Sequence, residues 1–180
     1  MAYRRRIVTE PNPILHKAAK KLSALELKLP LTQQLIDDMI KTMYEAPGIG
    51  LAAPQVGVGK RIFVSDVGEE HELYVFVNPV LGDFEGEESS VEGCLSIPGK
   101  IGDVKRALSC VLTGLDRQGK KVRVEASGLL ARCFQHEVDH LDGILISDKA
   151  ELRDALPPEE AGGEHVDGER KKNPAKEVTI

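Results

Sequence analysis

Apolar positions along the chain fall into stretches with helical spacing and stretches that read as strands. Leu35, Ile36, Met39, Ile40, Met43 and Tyr44 recur at intervals of three and four, which predicts one amphipathic helix over about 32–45. Pro30 and Thr32 open it, and Pro47 and Gly48 end it. Asn12 followed by Pro13 is a second helix-start signal, so a short helix is expected through Lys20. Arg61–Val67 and Leu73–Val80, rich in Val, Ile, Phe and Tyr, read as strands. Gly82–Ser90 is acidic and reads as a loop. Ala107–Leu115 and Lys121–Glu125 pair naturally as a hairpin about Asp116-Arg117-Gln118-Gly119. A last helix is expected between Ser127, which can cap it, and Gly143, which ends it. Leu129, Leu130, Cys133 and Val138 supply its apolar contacts.

That last helix carries Gln135-His136-Glu137-Val138-Asp139-His140. At 3.6 residues per turn, positions i and i+4 lie one above the other, so both histidines can face one ion. Glu137 sits about 100° round the helix, near enough to touch a water on that ion without ligating it. Two ligands, an open position and a carboxylate that can take a proton are what a metallohydrolase needs. The alternative is a surface helix with two unrelated histidines.

A chain of 180 residues with 41% hydrophobic content suggests one domain with a real core. The net charge of -5 gives no reason to expect a nucleic-acid-binding face. Arg4, Arg5 and Arg6 read as a solvated arm. No apolar run suits a signal peptide, and none approaches the ~20 residues of a membrane span. Three widely separated cysteines make no disulfide framework, so a soluble, reduced, cytoplasmic protein is expected. From Pro157 onward the chain is charged, rich in Pro and Gly and without aromatic residues, which predicts a single domain over 1–156 and a mobile tail over 157–180.

A catalytic site of this kind expects a third protein ligand. Cys133 shares the face of the histidines, but seven residues separate it from His140, roughly 10 Å along a helix axis. It reads better as a small buried hydrophobe beside the site, and Cys110 as core. Cys94, flanked by Gly93, is the stronger candidate, because a thiolate is a good transition-metal ligand. A histidine six residues after His140 would mark another class of metalloprotease, but position 146 is Ile. Glu159 and Glu160 remain formal options in the tail, a poor platform for a rigid ligand. The glycine-rich Gly48–Gly57 lacks the Lys-Ser/Thr of a phosphate loop. It reads as backbone that something approaches closely, or as an ordinary turn.

Taken in order, Gly48-Ile49-Gly50-Leu51-Ala52-Ala53-Pro54-Gln55, Glu92-Gly93-Cys94-Leu95-Ser96 and Gln135–His140 resemble the motifs of a peptide deformylase, over roughly residues 5–150. The resemblance implies an α+β fold, with antiparallel β-sheets around a central metal-binding helix. It implies removal of the formyl group from the formyl-methionine of nascent peptides. It implies a metal held by Cys94, His136 and His140, usually Fe²⁺, with Ni²⁺, Co²⁺ or Zn²⁺ able to substitute; ligand types alone would suggest zinc. Glu137 would carry the proton, while the Gln55 amide and the Leu95 N–H would stabilise the charge on the formyl oxygen. The peptide would add as a strand against Ile49, Gly50 and Gly93, with Leu129 and Cys133 walling the methionine pocket and Arg106 beside the peptide backbone. Glu92 would orient the loop or a ligand. Ser89-Ser90-Val91 departs from the usual lead-in to Glu92, and the tail has no family counterpart. Some relatives dock on the ribosome through the C-terminal segment, for which Arg170-Lys171-Lys172 is the candidate here; a solvated tail is the simpler reading. Two other readings compete. A metallopeptidase would make Cys94 dispensable and a tail glutamate essential. An inactive metal-binding relative would have no use for Glu137 and Gln55.

Overall fold

The computed structural model describes residues 1–68, 73–155 and the backbone of 178–179. After a short helix α1 (Ala24–Leu27) comes α2 (Pro30–Glu45), with Pro30 in its first turn, where a missing N–H costs nothing. Its stripe buries Leu35, Ile36, Met39 and Met43 against Leu51, Ile62 and Val64. Those residues belong to a five-stranded antiparallel sheet. It contains β1 (Gly50–Ala52), β2 (Ile62–Ser65), β3 (Tyr74–Glu85), β6 (Ser109–Leu115) and β7 (Lys121–Ser127), in that spatial order. A second sheet orders β8 (Leu152–Asp154), β5 (Ile97–Arg106), β4 (Glu88–Cys94) and β9 (Val178–Thr179). The architecture is α+β, with two sheets, antiparallel except for the β4–β9 pair, and a helix between their faces.

That helix is α3 (Gly128–Asp142). Leu130, Ala131, Phe134, Val138 and Leu141 pack on Phe63, Phe76 and Leu112 of the larger sheet. Phe134 meets Phe76 edge-on at 5.5 Å and Phe63 at 5.8 Å. Leu15, Val104, Leu145 and Ile146 form a smaller core around Cys94. With cover on several sides, α3 buries Arg132, Gln135, His136, Glu137 and His140 along with its apolar residues. Polar groups in that position are expensive unless paired, and their pairing defines the site.

The chain departs from the sequence reading at three places. Asn12–Lys20 forms turns, not a helix. Asn12 Oδ1 accepts the Ile14 N–H (3.1 Å), and the Ala19 N–H goes to the Leu141 carbonyl (2.8 Å), so these amides serve other partners. Gly82–Ser90 is not a loop: β3 runs to Glu85 and β4 starts at Glu88, joined through Gly86 at φ +65°, a conformation that favours glycine. Ser127 occupies the cap position of α3 but makes no side-chain cap bond. Val178–Thr179, inside the segment expected to be mobile, runs parallel to Glu92–Gly93; the rest of that segment, with Glu159, Glu160 and Arg170-Lys171-Lys172, lies outside the described residues. No helix among the described residues is long and apolar enough to cross a membrane.

Candidate metal centre

His136 and His140 stand one turn apart on α3, their ring centroids 4.9 Å apart and their planes at 72°. Cys94 closes β4, where the pairing with β5 slips between Gly93 and Cys94. The slip turns the thiol towards α3, and Sγ lies 3.2 Å from His140 Nε2. The ligand atoms of Cys94, His136 and His140 all lie within 4.8 Å of one another, and all three residues are buried. Cys133 is not part of this group: its Sγ faces the Ile49 carbonyl at 3.5 Å.

Burial pushes the Cys94 thiol up to about 12, with the Glu137 and Glu92 charges adding to it against backbone N–H groups of Ser96 and Ile97. Burial also holds His140 well below the ordinary imidazole value, and His136 and Arg106 push the same way. A neutral imidazole is the ligand form. His136 Nδ1 faces Glu92 Oε2 at 3.0 Å, which leaves Nε2 buried and without a partner among the described residues. Two imidazoles and a sulfur that only a cation would deprotonate suit a transition-metal ion.

Glu137 is wholly buried, and neither carboxyl oxygen finds a partner among the described residues. Burial drives its pKa well above the usual carboxylate range; Arg106 opposes this, and Glu92 and Asp139 reinforce it. Gly50 makes room for it, because a Cβ there would run into the carboxylate. Gln55 sits in a 3₁₀ turn at Ala53–Val56. Its Oε1 accepts the Ala52 N–H (2.8 Å), so its NH₂ is aimed at Ser96 Oγ (3.3 Å) and Cys94 Sγ (3.7 Å). The Leu95 side chain covers Gly48, where a Cβ would come within 2.8 Å of it. A cavity of about 290 Å³ opens beside Cys94 among Pro47, Leu95, Pro98 and Ile101. A larger recess of about 560 Å³, beside Asp83, Arg123 and Glu125, shares no residue with the centre.

Other expected residues fall at varied distances from this core. Gly93 pairs with Ile101 on one side and Thr179 on the other. The Ile49 carbonyl accepts the Asp66 N–H (2.9 Å). Leu129 is 39% exposed at the start of α3, while Cys133 is fully buried.

Arg106 requires a correction. Expected beside a bound peptide, it is buried behind the ligands, bonding Glu92 through Nε (3.0 Å) and Nη2 (2.9 Å) and pairing with Asp139 through Nη1. A guanidinium so engaged does not line a cleft. Alternation along β5 buries Val104 and Arg106 and exposes Lys105, which was the signal to read. Burial opposes the Glu92 charge, but bonds from His136 and Arg106 prevail and hold its carboxyl well below the usual range. Arg132, which sequence reasoning passed over, also meets Glu92. Its place four residues before His136 was the available sign.

Residues 4–155 match the family described as polypeptide deformylase. A curated peptide deformylase of Symbiobacterium thermophilum is 48% identical over 164 residues, covering 91% of this chain and 73% of that protein. Among solved structures, a peptide deformylase from Legionella pneumophila is 44% identical, with a TM-score of 0.77 over 82% of this chain and 86% of that one. The Met-Ala-Ser-bound class I type b peptide deformylase of Acinetobacter baumannii is 36% identical, with a TM-score of 0.80 over 83% and 99%.

Proposed function

The chain belongs to the polypeptide deformylase family, and on that premise we propose which of its residues carry the reaction. It is a metal-dependent hydrolase that removes the formyl group from the N-terminal formyl-methionine of new polypeptides and releases formate. Cys94, His136 and His140 are the ligands in this reading, within a catalytic unit of residues 1–156. Fe²⁺ is the proposed ion, with Ni²⁺, Co²⁺ and Zn²⁺ as substitutes. A divalent ion bound there supplies Lewis acidity towards water and towards a carbonyl oxygen.

Glu137 takes the proton of the attacking water at a carboxylate oxygen and returns it to the departing amine nitrogen. Burial raises its pKa above the usual carboxylate range, so it holds a transferred proton more readily than an exposed glutamate would. The Gln55 Nε2–H, held in orientation by Ala52, and the Leu95 backbone N–H donate to the formyl oxygen as charge develops. Loss of one such donor typically costs about 2.7–4 kcal/mol of barrier. Substrate backbone adds along Ile49, Gly50 and Gly93, replacing Thr179 at the edge of β4, and the methionine side chain lies against Leu129 and Cys133. The structure of the Acinetobacter relative is bound to Met-Ala-Ser, which supports a peptide beginning with Met as the ligand. Formylated nascent peptides are the substrates, and the ribosome that carries them is the proposed macromolecular partner.

One observation carries the assignment: three ligand atoms converge within 4.8 Å next to a buried carboxylate that has no donor among the described residues. The test is formate release from a formyl-Met peptide by anaerobically prepared protein, alongside Glu137→Ala. The substitution is expected to lower the rate by about 10²–10⁴-fold. An undiminished rate removes Glu137 from the reaction.

A further inference from the structure

Arg132 stands one turn before His136 on α3, so their side chains leave the same face of the helix. Both reach one carboxylate. Arg132 Nη1 lies 2.7 Å from Glu92 Oε1, and His136 Nδ1 lies 3.0 Å from Glu92 Oε2. Arg106 contributes a bidentate pair, Nε to Oε1 and Nη2 to Oε2. Glu92 thus makes four hydrogen bonds to three residues, the full capacity of a carboxylate.

Arg106 alone grips both oxygens, and what Arg132 adds beyond its own bond to Glu92 lies elsewhere. Its Nη1 also donates to the Val104 carbonyl (3.0 Å), and its Nη2 donates to the Glu88 carbonyl (3.1 Å). Glu88 and Glu92 are on β4, which ends at Cys94, and Val104 is on β5. One buried guanidinium therefore ties the helix that carries both histidines to the sheet that carries the cysteine.

We propose that Arg132 is a positioning residue for the metal centre. It fixes Glu92 behind His136 and holds β4 at the separation from α3 at which sulfur and both imidazoles face one ion. This rests on the assignment of Cys94, His136 and His140 as the ligands. Arg132 touches neither ion nor peptide; it acts through Glu92 and through the β4 backbone. Lysine cannot replace it fully, because an ammonium lacks the planar fork that reaches a carboxylate and two carbonyls together.

The test uses the full chain loaded with Co²⁺, following metal release to excess chelator and the d–d absorption bands. Arg132→Met, which fills similar volume without donors, is expected to release Co²⁺ about 10–100-fold faster, with altered bands. Arg132→Lys should fall between Arg132→Met and wild type. Phe76→Leu, which loosens the packing under α3 at Phe134 without removing a bond of this network, serves as the comparison at a matched loss of melting temperature. Wild-type release and spectrum in Arg132→Met overturn the proposal whatever the melting temperature, as does equal acceleration in Phe76→Leu. Should Arg132→Met fail to fold, Arg132→Lys decides, and a wild-type release rate there overturns the proposal. The thiolate-to-cobalt charge-transfer band of the unaltered protein reports the ligand assignment separately: its absence removes Cys94 and leaves the Arg132 measurement standing.

Discussion

Gly50→Ala isolates the placement of Glu137. Gly50 has no positive φ, so alanine brings no backbone strain, and the whole effect comes from one methyl group. That Cβ would stand 2.8 Å from Glu137 Cδ and 3.0 Å from Cys133 Sγ, with Oε1 nearer still. To regain an ordinary 3.4 Å contact, the carboxyl carbon must withdraw by about 0.6 Å (3.4 less 2.8), and the oxygen by more. Misplacement of a reacting group by about 1 Å can cost on the order of 10²-fold in rate. Overpacking costs roughly 1–3 kcal/mol, partly offset by the ~0.4–1 kcal/mol that Gly→Ala gains by restricting the unfolded chain. Gly50→Ala should therefore fold, keep its metal and release formate about 10²-fold more slowly. The loss should appear in kcat, because the methyl points at Glu137; a clash with the peptide would appear in KM. Gly59→Ala is the control, since nothing lies within 4 Å of its Cβ and its φ is not positive either. Metal content by elemental analysis and formate release on one preparation settle the matter. If metal-replete Gly50→Ala keeps its kcat within about threefold of wild type, Glu137 does not need the position it occupies here, and the steric reasoning fails.

Cys94→Ser leaves two imidazoles with a hard hydroxyl in place of a thiolate. Co²⁺ retained after dialysis should fall well below one per chain and the charge-transfer absorption should vanish; unchanged retention and absorption would exclude Cys94 as a ligand. Asp38 supplies the pH prediction. Burial opposes its charge, but bonds from the Tyr3 N–H (2.8 Å), the Gln34 amide (2.7 Å) and Arg5 (3.0 Å) prevail and lower its pKa. Its stabilisation is then complete above the unfolded value of about 3.9 and is lost as pH falls through the lower folded value. Asp38→Asn should cost about 1–3 kcal/mol at neutral pH and flatten the acid limb of stability below about pH 4. Urea unfolding from neutral to acid pH reads both, and parallel curves for the two proteins would contradict the assignment.

What could be read from the sequence was what local rules determine. The stripe of Leu35, Ile36, Met39 and Met43 needs only a 3.6-residue period, and α2 buries those four residues. The hairpin about Asp116–Gly119 forms β6 and β7, because the turn and the flanking β-formers agree. Gly143 ends α3 at φ +76°, with the backbone of His16 and Lys17 packed against it. Local rules failed where the partner was distant. Asn12-Pro13 carries a helix-start signal, yet the amides that follow reach Leu141, and the Leu22 N–H reaches Asn78 Oδ1 (2.9 Å). Acidic composition suggested a loop at Gly82–Ser90, but pairing of β4 with β5 depends on backbone groups, which Ser89 and Ser90 supply as well as valine would.

The candidate centre divides along the same line. Two histidines four residues apart can be recognised on one helix, and their glutamate comes with them. Glu92, Arg106, Arg132 and Asp139 come from β4, β5 and α3, and none has a spacing that announces the others. Their meeting follows from how deeply α3 is buried. A helix enclosed by both sheets cannot leave its charges to water, so each must find its counterion inside. Arg132 and Arg106 face Glu92, and Arg106 also faces Asp139, which Lys149 reaches from the outside at 2.7 Å. Those acids are compensated. Glu137, one residue from His136 and wholly buried, has no donor among the described residues. The acid left uncompensated is thus the one whose affinity for a proton is raised, and it stands beside the ligands. Had a guanidinium been paired with Glu137 as two are with Glu92, the same motif would have been present with its proton-carrying capacity suppressed.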